Sequence, residues 1–222
     1  MPVSAARFSN FRLSTESLAL ERGGRILLSA LDLSLDAGCA LVVTGRNGAG
    51  KSTLLRALAG LLPPASGRIR LAGADGKDAD SGTHTHYAGH LDASKGTLTA
   101  RENLAFWQSM LALPAYPSPM SPENALTRLA LPHVADLPVG YLSAGQRRRV
   151  GLARLLLAPR PLWLLDEPMN ALDTQAQHLF TQCMREHLAN GGIIVAATHA
   201  PLGIPAMQLE LGSPQDGGEH AS

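Results

Sequence analysis

The chain lacks the cysteines that a disulfide-stabilised protein needs. Its 222 residues include only two, Cys39 and Cys183, and both have apolar neighbours in the sequence. Two cysteines cannot provide a disulfide framework for a chain of this length. We therefore expect buried, reduced thiols and a protein that works in a reducing compartment.

Long apolar segments are also missing. Residues 1–21 contain no continuous apolar run of the kind that a signal peptide requires. Arg154 and Arg160 interrupt the longest apolar candidate further along, so no stretch reaches the roughly 18 apolar residues of a membrane-spanning helix. We expect a chain that has no signal peptide and does not itself span a membrane.

Excess charge of one sign is absent as well. Lys and Arg number 19 against 18 Asp and Glu, a net charge of +1, which gives no strong field for binding nucleic acid or an anionic membrane. The basic cluster 147–149 lies in a helix-like run, and we interpret it as a solvated or subunit-facing patch. No internal repeat stands out, and residues 1–222 are predicted to form a single domain.

What the sequence does contain is a glycine-rich loop between a buried strand, predicted at 40–44, and a helix, predicted at 54–61. The loop matches G-x-x-x-x-G-K-[ST] without a gap. It consists of Gly45, Arg46, Asn47, Gly48, Ala49, Gly50, Lys51, Ser52 and Thr53. The order of strand, loop and helix predicts a phosphate-binding site.

Each residue type in this loop suits a bound triphosphate. The three glycines can take positive φ and let the backbone approach a ligand closely. Amide N–H groups at a helix N-terminus attract anions. Lys51 is predicted to contact the β- and γ-phosphates, and the Ser52 hydroxyl to bind Mg²⁺.

The segments around this loop predict an α/β fold. Strands are indicated at 18–21, 31–35 and 67–71, the first two joined by a turn at Gly23-Gly24 and forming an antiparallel flap. Residues 72–85 are rich in Gly, Asp, Ser and Thr, and we interpret them as a solvated loop.

From 92 to 142 we expect a small helical insertion without a strand. Thr99 and Glu102 suit a capping box there. Several prolines break the following stretch into short pieces: Pro114, Pro117, Pro119 and Pro122. The tail, 212–222, is predicted to be disordered.

The second half of the chain supplies two more buried strands with polar residues at their ends. Residues 162–165 are apolar and are followed by Asp166 and Glu167, while 193–197 are followed by Thr198 and His199. Parallel strands that are buried on both faces have this form. Helices are predicted before and between them, one capped by Ser143 and one capped by Asp173.

Taken together, these motifs resemble the nucleotide-binding subunit of an ATP-binding cassette (ABC) transporter. Residues 45–53 are similar to Walker A, 162–167 to Walker B, 142–146 to the cassette signature, 170–173 to the D-loop and His199 to the switch histidine. The resemblance implies a P-loop NTPase core, with a mainly parallel sheet and helices on both faces, an N-terminal antiparallel β subdomain and a small helical subdomain.

The resemblance also implies roles for these residues, with ATP and Mg²⁺ as the bound groups. Lys51, Glu167 and His199 would be catalytic, with Glu167 orienting or deprotonating the attacking water and His199 contacting the γ-phosphate. Asp166 would hold Mg²⁺ through water. In this family two subunits pair head to tail, so that Ser143 and Gly145 of one close over the nucleotide of the other.

Three positions depart from the family pattern. Ala144 stands where the family usually has Gly, which matters only if the position needs positive φ. His90 falls where a Gln usually links the γ-phosphate and Mg²⁺ to the transmembrane partner; a histidine there makes the coupling sensitive to pH. Arg22 lies where an aromatic residue usually stacks on adenine, and a guanidinium can stack instead.

A narrower resemblance is to the ATP-binding subunit of the bacterial haem exporter of cytochrome c maturation. Its similarity is clearest at 87–90, 98–104, 142–150, 162–168 and 191–193. This resemblance implies a homodimer on small integral permease subunits, held peripherally at the cytoplasmic face of the inner membrane. ATP would drive either haem export or release of a haem-loaded chaperone.

Other functions remain as alternatives. The chain could serve another ABC exporter or importer, or act as a soluble cassette ATPase on ribosomes or DNA, although such proteins usually carry two cassettes or a long coiled-coil insertion. A nucleotide-binding module without hydrolysis is a third, and the intact Lys51 and Glu167 speak against it. A metal or haem site on His84, His86 and His90 lacks a cysteine or carboxylate to complete it, although the first two would share a strand face.

Overall fold

The computed structural model describes residues 7–73, 78–90, 92–112 and 120–212, and these contain both strands and helices. The strands are β1 (Arg12–Arg22), β2 (Arg25–Asp36), β3 (Ala40–Gly45), β4 (Ser66–Ala72), β5 (Thr85–Ala88), β6 (Leu162–Asp166), β7 (Ile193–Ala197) and β8 (Met207–Leu211). The helices are α1 (Lys51–Leu58), α2 (Ser81–His84), α3 (Ala100–Leu111), α4 (Pro122–Arg128), α5 (Ala144–Leu157) and α6 (Thr174–Ala189).

These strands form two sheets of different kinds. A five-stranded sheet has the order β5-β6-β7-β3-β8, and its neighbouring strands are parallel throughout. A three-stranded sheet has the order β2-β1-β4 and is antiparallel. The predicted α/β class, with a mainly parallel core and an N-terminal antiparallel sheet, is confirmed.

The core lies on both faces of the parallel sheet, because successive side chains of its central strands point in opposite directions. Leu164 and Val195 face α1 and the antiparallel sheet, whereas Trp163 and Ile194 face helices α3 to α6. Every residue of β6 and β7 is buried. This two-sided burial explains why both strands are continuous apolar runs in the sequence.

The antiparallel strands are longer than the sequence predicted. The pairing of β1 with β2 shifts its register between Thr15 and Leu18 and again between Leu18 and Leu20, and Ser17 has a positive φ of 45°. Such bulges break the two-residue alternation of apolar and polar side chains. The predictions at 18–21 and 31–35 therefore found only parts of longer strands, β1 and β2.

The segment predicted as a helical insertion contains α3, α4 and two 3₁₀ turns, Pro132–Val134 and Val139–Tyr141. Its described residues contain no strand, only an isolated bridge between Thr99 and Pro138. Thr99 and Glu102 form the predicted capping box. Residues 113–119, with three of the four prolines, and the predicted disordered tail from 213 onward lie outside the described residues.

The prediction of a loop at 72–85 needs correction. Asp80 accepts hydrogen bonds from the backbone N–H groups of Gly82 and Thr83 and so caps the short helix α2; residues 74–77 lie outside the described part. Because His84 ends this helix and His86 belongs to β5, the expectation that the two histidines share a strand face is wrong.

The structure can be compared with the expectations of buried, reduced cysteines and of a chain without a membrane-spanning segment. Neither cysteine is in a disulfide. Cys183 is buried, and burial raises the pKa of its thiol, whereas Cys39 is only partly buried, contrary to expectation. Within the described ranges, no helix combines the length and apolarity needed to cross a bilayer.

Two histidines are buried inside the core. His187 stacks on Trp163 with 4.1 Å between ring centroids, and His86 Nε2 donates to the carbonyl of Ala158 at 2.5 Å. Burial lowers the pKa of each imidazole to about 3. Both side chains are therefore neutral in the folded protein at pH 7.

Acidification should destabilise the fold through these two residues. The unfolded chain takes up protons on both imidazoles near pH 6.5, while the folded chain does not until about pH 3. Their contribution to stability is thus present above pH 6.5 and is lost as the pH falls, by about 1 kcal/mol per histidine between pH 7.5 and 5.5.

Urea unfolding at these two pH values measures the loss. His187→Phe keeps an aromatic ring on Trp163 but cannot titrate, so its loss on acidification should be smaller than that of the wild type by about 1 kcal/mol. The same pH dependence in both proteins would contradict the assignment of a buried, neutral His187.

Candidate active site

Three of the polar segments found in the sequence meet at one edge of the parallel sheet. The strands β6, β7 and β3 are neighbours, with Asp166 opposite Ala197 and Val43 also opposite Ala197. The segments that follow these strands therefore emerge side by side at the carboxyl edge, where ligands bind in open parallel sheets.

The glycine-rich loop has the conformation that the sequence predicted. Gly45, Gly48 and Gly50 have positive φ values of 132°, 84° and 102°. At Gly45 the close approach also demands glycine, because a Cβ there would lie 2.4 Å from the carbonyl oxygen of Leu211. Helix α1 begins directly after Gly50 without a side-chain cap, so its first amide N–H groups can bind an anion.

Lys51 and His199 come together across this edge. Lys51 Nζ donates to the carbonyl oxygen of Gly45 at 2.5 Å and lies 3.3 Å from His199 Nε2. Because an ammonium group only donates, His199 Nε2 can serve only as the acceptor in this contact. Lys51 and His199, both candidates for binding phosphate, are distant in the sequence but lie within hydrogen-bonding distance of each other.

The two carboxylates at the end of β6 differ in their surroundings. Asp166 is 7% exposed. Glu167 has a left-handed backbone with φ of 47°, and its N–H donates to the carbonyl of Ala197 at 2.8 Å. Its Oε2 accepts a hydrogen bond from Thr198 Oγ1 at 3.1 Å. Strained backbone of this kind recurs at functional sites because the neighbouring structure has to hold it.

A cleft of about 410 Å³ joins the glycine loop to these carboxylates, a size that suits a small-molecule ligand. Its walls are Arg22, Leu27, Asn47, Gly48, Gly50, Lys51, Ser52, Thr53, His90, Asp166 and Glu167. Arg22 and His90, predicted from family resemblance, thus line the same cavity as Lys51. Leu27 was missed, since one apolar residue between Ile26 and Leu28 in a strand gives no signal of a binding role.

The proposed magnesium ligands also face this cleft. Ser52, Asp166 and His90 all line it, and the hydroxyl and carboxylate oxygens are donors that Mg²⁺ prefers. Among the described residues, no group of three or more His, Cys, Asp and Glu side chains is placed to hold a metal. The oxygen donors of Ser52 and Asp166 fit Mg²⁺, which keeps several waters when it is bound by few protein ligands.

The signature segment lies elsewhere in the same chain. Ser143 caps α5 and forms a capping box with Gln146, and neither Ser143 nor Gly145 is among the described residues lining the cleft. Gly145 packs closely on the D-loop, since a Cβ there would lie 2.7 Å from the carbonyl oxygen of Ala171. Ala144 is the first residue of α5, so it needs no positive φ.

The basic cluster in α5 is not a solvated patch. Arg148 is 7% exposed, and its Nη2 donates to the carbonyl oxygens of Asp166 and Glu167, both at 2.9 Å. Arg147 and Arg149 are half-buried and donate to the carbonyls of Leu142 and Leu129. Sequence patterning missed this, because three adjacent arginines on a helix point in different directions.

The site and fold define an ATP-binding cassette. The family model described as "ABC transporter" matches residues 28–170. A dimeric ATP-binding cassette in a post-hydrolysis state, bound to ADP and phosphate, superimposes with a TM-score of 0.69 and 23% identity, covering 85% of this chain and 88% of that one. At this identity the likeness shows the fold.

Closer relatives have a more specific name. The cytochrome c biogenesis ATP-binding export protein CcmA of Nitrobacter winogradskyi is 51% identical, covering 90% of this chain and 98% of the relative. The protein of the same name from Rhodopseudomonas palustris (strain HaA2) is 48% identical, with 91% and 98% covered. The chain therefore belongs to the ABC transporter family and, within it, to the CcmA cytochrome c biogenesis ATP-binding export proteins.

The close packing of the signature segment on the D-loop predicts unequal effects at two adjacent positions. Gly145→Ala should push the D-loop away and lower ATP turnover by roughly tenfold, equivalent to about 1.4 kcal/mol in the barrier. Binding of ATP to the isolated chain should persist, because the glycine loop is untouched. Ala144→Gly, which adds no atom, is the matched control and should stay within about twofold of wild type. Equal losses in the two variants would contradict this account.

Proposed function

We propose that the chain is the ATP-hydrolysing subunit of an ABC exporter that serves cytochrome c maturation. The observation that carries the proposal is the single cleft in which the glycine loop, Lys51, Asp166 and Glu167 face one another. The names of its relatives, ATP-binding export proteins of cytochrome c biogenesis, support the cellular process. They also speak against a soluble cassette ATPase that acts on ribosomes or DNA.

In this proposal the loop amides and Lys51 bind the phosphates of ATP. Ser52, Asp166 and His90 would hold Mg²⁺, which would supply positive charge to the phosphates when bound. Arg22 stacks on the adenine in place of an aromatic residue. These assignments are supported by the shared cleft and by the positive φ values of the loop glycines.

Hydrolysis then depends on positioning rather than on covalent chemistry. Glu167 orients or deprotonates the attacking water, and His199, 3.3 Å from Lys51 Nζ, contacts the γ-phosphate and that water. The hydrogen bond from Thr198 Oγ1 to Glu167 Oε2 restricts the carboxylate. The Arg148 guanidinium donates to the backbone carbonyls of Asp166 and Glu167 and so holds the backbone that carries this carboxylate.

The placement of the signature segment supports a head-to-tail dimer. Ser143 and Gly145 lie outside the cleft of their own chain, so each is available to close over the nucleotide of a second copy. The structurally similar cassette that is a dimer in its post-hydrolysis state is consistent with this arrangement. ATP joins the two copies and its hydrolysis lets them separate.

For the complex, we propose small integral permease subunits as partners and a peripheral position at the cytoplasmic face of the bacterial inner membrane. The work done is a haem-handling step: either movement of haem or release of a haem-loaded chaperone. The name of the relatives as export proteins supports a membrane partner without identifying it.

Glu167→Gln tests the ATPase part of the proposal. The amide keeps the size of the side chain but cannot take a proton, so turnover should fall by roughly a hundredfold or more, while MgATP should trap a closed dimer visible by light scattering. Glu16→Gln, an exposed position in β1, is the control and should behave as wild type. Unchanged turnover in Glu167→Gln would remove this carboxylate from the mechanism.

The same variant distinguishes the two haem-handling steps. In cells that contain the permease and the chaperone, Glu167→Gln should abolish covalent attachment of haem to cytochrome c, measured by haem staining. If ATP drives chaperone release, a haem-loaded chaperone should co-purify with the trapped complex. If ATP drives movement of haem itself, the chaperone should be recovered without haem. Normal haem attachment would contradict the proposed process.

A further inference from the structure

Strand β5 lies at one edge of the parallel sheet and pairs with β6 on one side. On its other side three arginines donate to alternate backbone carbonyls. Arg160 Nη1 donates to Thr85 at 2.7 Å, Arg154 Nη2 donates to Tyr87, and Arg148 Nη1 donates to Gly89 at 2.9 Å. These guanidinium groups, which we call the arginine clamp, satisfy carbonyls that an edge strand leaves unpaired.

Arg148 does more than the other two members of the clamp. Its Nη2 donates to the carbonyls of Asp166 and Glu167, and its Nη1 also lies 3.3 Å from a carboxylate oxygen of Asp92. One buried guanidinium therefore joins Gly89, the neighbour of His90, and Asp92 to the turn after β6. The guanidinium can bridge these two parts of the chain because its donors lie on two nitrogens of one planar group, whereas a lysine has a single ammonium nitrogen.

Arg148 and its neighbours in α5 are closely packed. Its side chain is 8% exposed. Gly151, one turn further along α5, lies against Asp92, and a Cβ there would approach Asp92 to 3.1 Å. Helix α5 can thus lie directly against the segment that carries His90, and hydrogen bonds from a buried charged group are stronger than those between neutral partners.

The contact with Glu167 matters because of the backbone conformation there. A glutamate with φ of 47° is strained and persists only where its surroundings hold it. The N–H of Glu167 donates to the carbonyl oxygen of Ala197 at 2.8 Å. Its carbonyl accepts from Arg148 at 2.9 Å and from the N–H of Asn170 at 3.3 Å. Arg148 thus contributes a side-chain donor to this turn.

We propose that Arg148 is a positioning residue for ATP hydrolysis: it holds the Glu167 carboxylate in line with the segment that carries His90. The inference rests on the proposed function of Glu167. Arg154 and Arg160 donate instead to carbonyls in β5 and its preceding helix, and Arg154 also lies over the Trp107 ring, 5.1 Å from its centroid.

Arg148→Lys and Arg160→Lys form a matched pair. Each replaces a clamp guanidinium with an ammonium, so both should lower the melting temperature. Arg148→Lys should also lower kcat for ATP by roughly tenfold, with KM and the affinity for ATP within about twofold of wild type. Arg160→Lys should leave kcat within about twofold. Equal effects on kcat, or loss of ATP binding in Arg148→Lys, would overturn the proposal.

A double variant tests whether Arg148 acts through Glu167. If it does, Arg148→Lys should not lower the residual turnover of Glu167→Gln further, because the group being positioned is already gone. A further tenfold loss would show an independent, structural effect and would falsify the proposal. If Arg148→Lys does not fold, Arg148→Gln, whose single amide nitrogen lacks the bridging pair of donor nitrogens of the guanidinium, takes its place in both comparisons.

These outcomes separate the inference from the function on which it rests. A wild-type chain that does not hydrolyse ATP, or a Glu167→Gln variant with full turnover, would overturn the proposed function. Normal turnover in Arg148→Lys alongside slow turnover in Glu167→Gln would overturn only the role of Arg148.

Discussion

The parallel pairing of β3, β6 and β7 is the constraint on which the rest of the structure depends. Their side chains are buried on both faces, β6 and β7 completely, so the strands cannot slip by one residue without driving a whole row of side chains to the opposite layer. The register fixes where each strand ends. Three polar segments, at 45–53, 166–167 and 198–199 in the sequence, therefore meet at a single edge.

This edge brings opposite charges together in a small volume. Lys51 and the uncapped amides of α1 provide positive potential, while Asp166 and Glu167 provide carboxylates in the same cleft. Lys51 binds the carbonyl oxygen of Gly45, and a phosphate oxygen offers it a stronger, charge-assisted partner. In the function proposed here, ATP with Mg²⁺ balances both sets of charges.

Helix α5 connects this cleft to the surface that a second copy would use. Its N-terminus carries Ser143 and Gly145, and one turn further on Arg148 reaches the backbone at Glu167. The Gly145 backbone also packs against Ala171 in the D-loop. In the proposed dimer, a displacement of the signature segment would therefore move α5, and the Arg148 guanidinium would transmit this movement to the backbone of Glu167.

The sequence by itself determined the phosphate loop, the buried strands β3, β6 and β7, and the helix caps at Thr99, Ser143 and Asp173, because each depends on neighbouring residues only. It did not reveal the bulges in β1, the burial of His86 or the bridging by Arg148. The tertiary structure decided these three features. Each depends on a strand or a backbone carbonyl that is distant in the sequence and comes within hydrogen-bonding distance, about 3 Å, only when the chain packs.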